Sequence, residues 1–187
     1  MKIHTNVTFS VLAILLAMPL AYADRDADRD HDDRGHHEGK NKYEMELMPL
    51  NNSGVEAEVE IKLKGNMLTI SIEASGLEAG KPHPQHIHGH GEASINASCP
   101  GIEADVDGDG LISVQEGVPS YGPIILPLTP FNLVDADGEL EYQATFSVDP
   151  DSLAPLHKRT IVLHGMTVNG QYIPSLPVAC GEITRED

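Results

Sequence analysis

The chain has 187 residues, 29 acidic against 12 basic side chains and a net charge of −17. An acidic surface of this kind disfavours nucleic acid and anionic membranes as partners and favours solubility and cation binding. Only 4% of the residues are aromatic, and beyond the first 23 residues no apolar run approaches the length of a membrane span.

Lys2 and His4 give a weakly basic start, residues 7–20 are apolar, and Ala21-Tyr22-Ala23 is a small-x-small cleavage signal. Together they read as a secretory signal peptide over residues 1–23, too short to span a bilayer comfortably. Maturation at Asp24 would remove one lysine and no acid, taking the net charge from −17 to −18. With no lipid-attachment cysteine at the cleavage site, the expectation is a soluble periplasmic or secreted protein. In such an oxidising compartment the two cysteines, Cys99 and Cys180, form one disulfide by default. For so long a loop the chain-entropy model gives at most about 4–5 kcal/mol.

Residues 24–42 are dense in both charge signs and hold no apolar residue beyond one alanine. They cannot bury enough surface to order themselves and are expected to form a disordered tail. Its His31, His36 and His37 could hold metal loosely, but no spacing fixes a geometry, so a solvated leader is the preferred reading.

From residue 43 onward about 145 residues remain, one domain's worth. Residues 43–48 and 55–64 alternate polar with apolar, Gly65-Asn66 makes a turn, and residues 67–74 run back. This is a β-hairpin with one wet face. Further strands are expected at 124–128, at 132–134 paired with 140–148 around the turn 135–138, at 160–166, and at 178–183, with another tight turn at Asn169-Gly170. Short strands, frequent Gly and Pro and almost no helical periodicity indicate an all-β antiparallel sandwich or barrel.

Four histidines fall in the eight residues His83-Pro84-Gln85-His86-Ile87-His88-Gly89-His90. Residues two apart on a strand share a face, so His86 and His88 form half of a metal site. His164, the only histidine of the C-terminal apolar strands, is the best candidate for a third ligand. The alternative for all three is a set of structural, hydrogen-bonded histidines. His90 is either a ligand or supporting neighbour, or a solvent-exposed residue beyond Gly89, and His157 is expected in solvent.

Residues 105–116, Asp105-Val106-Asp107-Gly108-Asp109-Gly110-Leu111-Ile112-Ser113-Val114-Gln115-Glu116, match the twelve-residue EF-hand calcium loop. Asp105, Asp107 and Asp109 supply carboxylates at positions one, three and five. Gly110 makes the sharp turn, Leu111 offers its carbonyl, Ser113 acts directly or through water, and Glu116 binds bidentately. The alternative is an acidic surface turn. Cys99-Pro100-Gly101 before the loop and Gly117-Val118-Pro119 after it leave no room for full flanking helices, the exit segment being expected to end after about one turn. Calcium therefore reads as a staple for a long connection, with Ile112 packing inward, rather than as a sensor.

Three local patterns resemble the copper/zinc superoxide dismutases. His83-x-x-His86-Ile87-His88-x-x-Gly91 resembles their copper-binding strand, Arg159-Thr160-Ile161-Val162-Leu163-His164 the strand of their last copper ligand, and Ala179-Cys180-Gly181-Glu182-Ile183 their C-terminal cysteine strand. Residues 132–148 also follow the family's pattern of turn and strand. The resemblance covers residues 43–183 and implies a Greek-key immunoglobulin-like β-sandwich or barrel. It further implies a Cys99–Cys180 disulfide, copper held by His86, His88 and His164, and a supporting role for His83.

The departures are equally informative. Between Cys99 and His157 there is no histidine, so the family's zinc ligands and the copper–zinc bridging histidine are missing, and zinc is not expected. The calcium loop stands in that place. Where the family carries its anion-guiding arginine, three residues before the last cysteine, this chain has Pro177; Arg159, Lys158 or a histidine would have to guide the anion instead. Two functions follow: a copper-dependent, dismutase-like enzyme acting on superoxide, or a non-enzymatic copper- and calcium-binding protein for metal storage, delivery or envelope structure.

Overall fold

A computed structural model describes residues 41–185; the expected signal peptide and all but the last two residues of the expected charged tail lie outside them. Strand β1 (Lys42–Pro49) is followed by the hairpin of β2 (Glu56–Lys64) and β3 (Met67–Ser75). Period-two alternation sends Ala57, Val59 and Ile61 of β2 and Leu68, Ile70 and Ile72 of β3 to the buried side. Each of the Val, Leu and Ile side chains contributes about 1.5–3 kcal/mol on full burial. The two strands pair in register to Lys64 and Met67 across Gly65-Asn66, as the alternation requires.

The remaining strands are β4 (Gln85–His88), β5 (Ile124–Pro127), β6 (Leu140–Ser147), β7 (Thr160–Val168), β8 (Gln171–Glu182) and the short β9 (Thr184–Arg185). Their order is β5-β4-β7-β8-β1-β2-β3-β6, with β9 on β1, and the pairings are antiparallel. Strand β1 links the two halves of this curled, half-barrel sheet. Its residues Lys42 to Leu47 pair with β2, whereas Met48 and Pro49 pair with β8. Ile61, Ile70 and Ile72 from one half thus share a core with Ile87, Ile161, Leu163 and Val178 from the other. The molecule is all-β, as the alternation predicts.

The structure departs from the sequence reading in three places. Residues 132–134 do not pair with β6. Val134 N–H donates to Lys81 O (3.1 Å) and Val134 O accepts from Gly80 N (2.9 Å), while β6 pairs along its whole length with β3. Strand β8 starts at Gln171 rather than 178, because Asn169 (φ 52°) and Gly170 (φ 81°) form a two-residue turn with both central φ positive, the twist that suits a hairpin. Helix α1 (Val114–Tyr121) runs past Gly117 and Pro119. Pro119 forfeits one backbone bond, but Ser113 and Glu116 close a capping box at the start and buried Tyr121 anchors the end. A one-turn helix, α2 (Pro150–Leu153), precedes β7.

The outward side of β1, β2, β3 and β6 carries Glu46, Glu58, Glu73 and Glu141 directly opposite one another in register across four strands. Lys42 and Lys62 pair with Glu60 and, for Lys42, Glu44, one step along the sheet. Like charges directly opposite destabilise a sheet by about 0.2–1 kcal/mol per pair. Glu58→Gln is therefore expected to raise Tm at low ionic strength, and the gain should shrink in salt. Thermal unfolding at two salt concentrations checks both; a lowered Tm would count against the repulsion.

The connection from β4 to β5 crosses the outer side of β4, β7 and β8. It is tied there by the Cys99–Cys180 disulfide and by a small buried cluster of Tyr121, Val162 and Cys180.

Candidate metal centre

The two faces of β4 have separate partners on β7. Gln85 and Ile87 lie opposite Leu163 and Ile161 and face the core, whereas His86 and His88 lie opposite Val162 and Thr160 on the outer side. The β7–β8 register shifts on both sides of His164, and such a bulge re-aims a side chain. Gly165 occupies that irregularity with φ 111°, and a Cβ there would sit 2.1 Å from Tyr172 Oη, so only glycine fits. The outcome is that His164 joins His86 and His88: ligand atoms of the three lie within 4.8 Å of one another. Ring centroids are 5.1–5.7 Å apart.

The hydrogen bonds fix which nitrogens are free. His88 Nδ1 donates to Gly122 O (2.9 Å) and His164 Nδ1 to Ser175 O (2.8 Å). A carbonyl accepts only, so each ring carries its proton on Nδ1 and presents a lone pair on Nε2. His88 Nε2, His164 Nε2 and His86 Nδ1 are all buried without a partner. Burial pushes His86 down to about 4 and His164 down to about 3, and it lowers His88 as well, so the rings are neutral at neutral pH. Three neutral imidazoles, two of them with the Nε2 lone pair fixed by a hydrogen bond at Nδ1, fit a first-row transition ion, and imidazole suits copper, zinc, iron and nickel alike.

His83 stands behind the group. Its Nδ1 donates to His164 O (3.0 Å) and its Nε2 accepts from Glu78 N (3.1 Å), so it braces the backbone that carries His164. Glu78 in turn accepts from the amide and hydroxyl of Thr167. His90 lies apart, its Nε2 donating to Ser120 O (3.2 Å). His157 is exposed. Two aromatic rings that the sequence did not single out pack edge-on to these histidines, Tyr121 on His88 at 4.7 Å and Phe131 on His86 at 5.6 Å. Burial raises the Tyr121 hydroxyl to about 12, leaving it neutral.

Arg159 is 3% exposed. Its guanidinium donates to Leu153 O (3.2 Å), His90 O (2.6 Å) and Ala154 O (2.9 Å), so it pins backbone rather than facing an anion. Lys158 Nζ donates to Ser94 O. Pro177 lies opposite His164 on β8.

The acidic loop brings ligand oxygens of Asp105, Asp107 and Asp109 within 4.8 Å of one another. Asp105 accepts from Gly108 and Gly110 amides (2.8 and 2.9 Å), and Asp109 accepts from Leu111 N (2.8 Å). Glu116 accepts from Ser113 N (2.8 Å) and Val106 N (3.0 Å); the Ser113 hydrogen bonds chiefly hold its carboxyl below the usual range. Ile112 is buried. Among the described residues no helix is long and apolar enough to cross a membrane.

The fold and site thus define an all-β protein with a buried three-histidine group and an acidic loop beside it. Compared with known proteins, the chain matches no protein-family model and no curated sequence.

Proposed function

We propose that this is an exported copper- and calcium-binding protein of the copper/zinc superoxide dismutase-like family, acting on superoxide at its histidine centre. The observation that carries the reading is the convergence of three buried, partnerless imidazole nitrogens on His86, His88 and His164. Bound there, copper would supply one-electron cycling between Cu(II) and Cu(I), oxidising one superoxide to dioxygen and reducing a second, with two protons, to peroxide. The protein's part is to hold three imidazoles neutral, to orient two of them through Gly122 and Ser175 carbonyls, and to leave coordination positions open. Among the described residues no further His, Cys, Asp or Glu joins the group.

The strand order supports a Greek-key sandwich: β3 crosses to β4 in the other half, β5 leads back to β6, and β6 to β7. The loop over residues 105–116 takes calcium, which staples the connection that zinc organises in the resembling family; millimolar extracellular calcium suffices for such a site.

A second reading, a non-enzymatic copper and calcium protein for storage, delivery or envelope structure, is favoured by one observation. Arg159 is committed to three carbonyls and Pro177 has no charge, so neither guides an anion to the centre. The test is to load the protein with one equivalent of copper and follow superoxide decay beside His164→Ala. Decay well above that of buffer, lost in the variant, is the expected result. Decay at the buffer rate with copper fully bound leaves the binding protein.

A further inference from the structure

Ile112, the eighth residue of the acidic loop, is buried, so its peptide N–H and C=O need protein partners. One side chain serves both. Asn51 Oδ1 accepts from Ile112 N (2.6 Å), and Asn51 Nδ2 donates to Ile112 O (3.0 Å). The same Nδ2 donates to Pro177 O (2.9 Å), and Pro177 is the register partner of His164. The turn that carries Asn51 is pinned to β8 separately, since Leu50 N and Ser53 Oγ both donate to Val178 O (2.8 and 2.6 Å).

The other end of the loop reaches the second buried ligand. Ser113 caps α1, Tyr121 at the end of α1 packs on His88, and Gly122 O holds His88 Nδ1. The loop is therefore attached to the centre at His164 through Asn51 and Pro177, and at His88 through α1. His88 and His164 are 2% and 3% exposed, and each aims a partnerless Nε2 into the centre.

We propose that Asn51 couples the two sites, so that calcium in the acidic loop strengthens metal binding at the histidine centre. This rests on the reading of residues 105–116 as a calcium site and of the three histidines as a metal site. Without a cation, the carboxylates of Asp105, Asp107 and Asp109 repel one another at close range. A cation draws them together and fixes Ile112 and the start of α1. The Asn51 clamp passes that order to β8 beside His164, and ligands already held in place bind metal with less ordering cost. Linkage requires the reverse as well: metal at the histidines strengthens calcium binding by the same factor.

The test uses the full chain. Copper affinity is measured by competition with a chromophoric chelator, with and without calcium, and calcium affinity by calorimetry, with and without copper. The wild-type coupling factor is expected on the order of tenfold in both directions. Asn51 sits at φ 56°, which glycine adopts without strain, so Asn51→Gly removes the amide alone. That factor should fall several-fold toward one in Asn51→Gly, with only the route through α1 left, while both ions still bind. Asn51→Asp, which keeps the acceptor for Ile112 N but loses both donated bonds, should lose most of it and serves if the glycine variant does not fold.

An unchanged factor in a folded Asn51 variant overturns the proposal. So does a factor of one in the wild type with both ions bound. If the wild type binds no calcium, or no copper, the reading of that site falls and the coupling with it.

Discussion

His164→Ala is expected to lower copper affinity by more than the roughly 10–100-fold that loss of a supporting hydrogen bond to a ligand costs. It removes one of the three imidazoles proposed to hold the metal and leaves His86 and His88 facing a gap. Competition against a chelator, with circular dichroism to confirm the fold, measures it; unchanged affinity would remove His164 from the site. The same centre sets a pH dependence. A histidine in the unfolded chain titrates near 6.5, whereas burial holds His86 at about 4 and His164 at about 3. Between those values the unfolded chain binds protons that the native chain does not, so stability rises with pH across this window. The metal-free protein is therefore expected to lose stability as pH falls below about 6.5. Copper should be retained from neutral pH downward and lost only where protons outcompete it, at or below the value of about 4 at which the metal-free His86 protonates. Thermal melts of the metal-free protein across this range check the first statement; a Tm that rises on acidification would refute the burial of neutral rings.

Breaking the Cys99–Cys180 bridge is the second large effect. The two residues are 81 apart in sequence, and removal of such a native disulfide costs about 2–5 kcal/mol. Cys180 also sits in the buried cluster with Val162 and Tyr121, beside the ring that packs on His88. The double variant Cys99→Ser/Cys180→Ser should thus unfold at lower denaturant and, where still folded, bind copper more weakly. A denaturation midpoint equal to that of the wild type would mean that the connection over the centre is held by its hydrogen bonds alone.

Much of this architecture is legible in the sequence where one face of a strand is wet. In β2 glutamates and Lys62 alternate with Ala57, Val59 and Ile61, and in β3 Thr69, Ser71 and Glu73 alternate with Leu68, Ile70 and Ile72, so both the pairing and the core side follow from period two. In β7 the six residues Thr160, Ile161, Val162, Leu163, His164 and Gly165 are all buried, so alternation there could not say which face holds the centre. The spacing of His86 and His88 revealed a shared face, and His164 stood out for want of rivals. The groups that orient them did not, because the acceptors are the backbone carbonyls of Gly122 and Ser175, which any residue could supply. Nothing in the sequence singled out Asn51, since its partners Ile112 and Pro177 lie 61 and 126 residues away. The length of α1 was hidden by Pro119, whose lost bond is outweighed by the capping box and by Tyr121.

The row of Glu46, Glu58, Glu73 and Glu141 has a consequence beyond its cost to folding. A broad sheet face is a natural surface for two copies to stack, and four carboxylates in line make that approach repulsive. The row that costs folding free energy within one molecule therefore works between molecules as well, keeping the sheet faces of neighbouring copies apart.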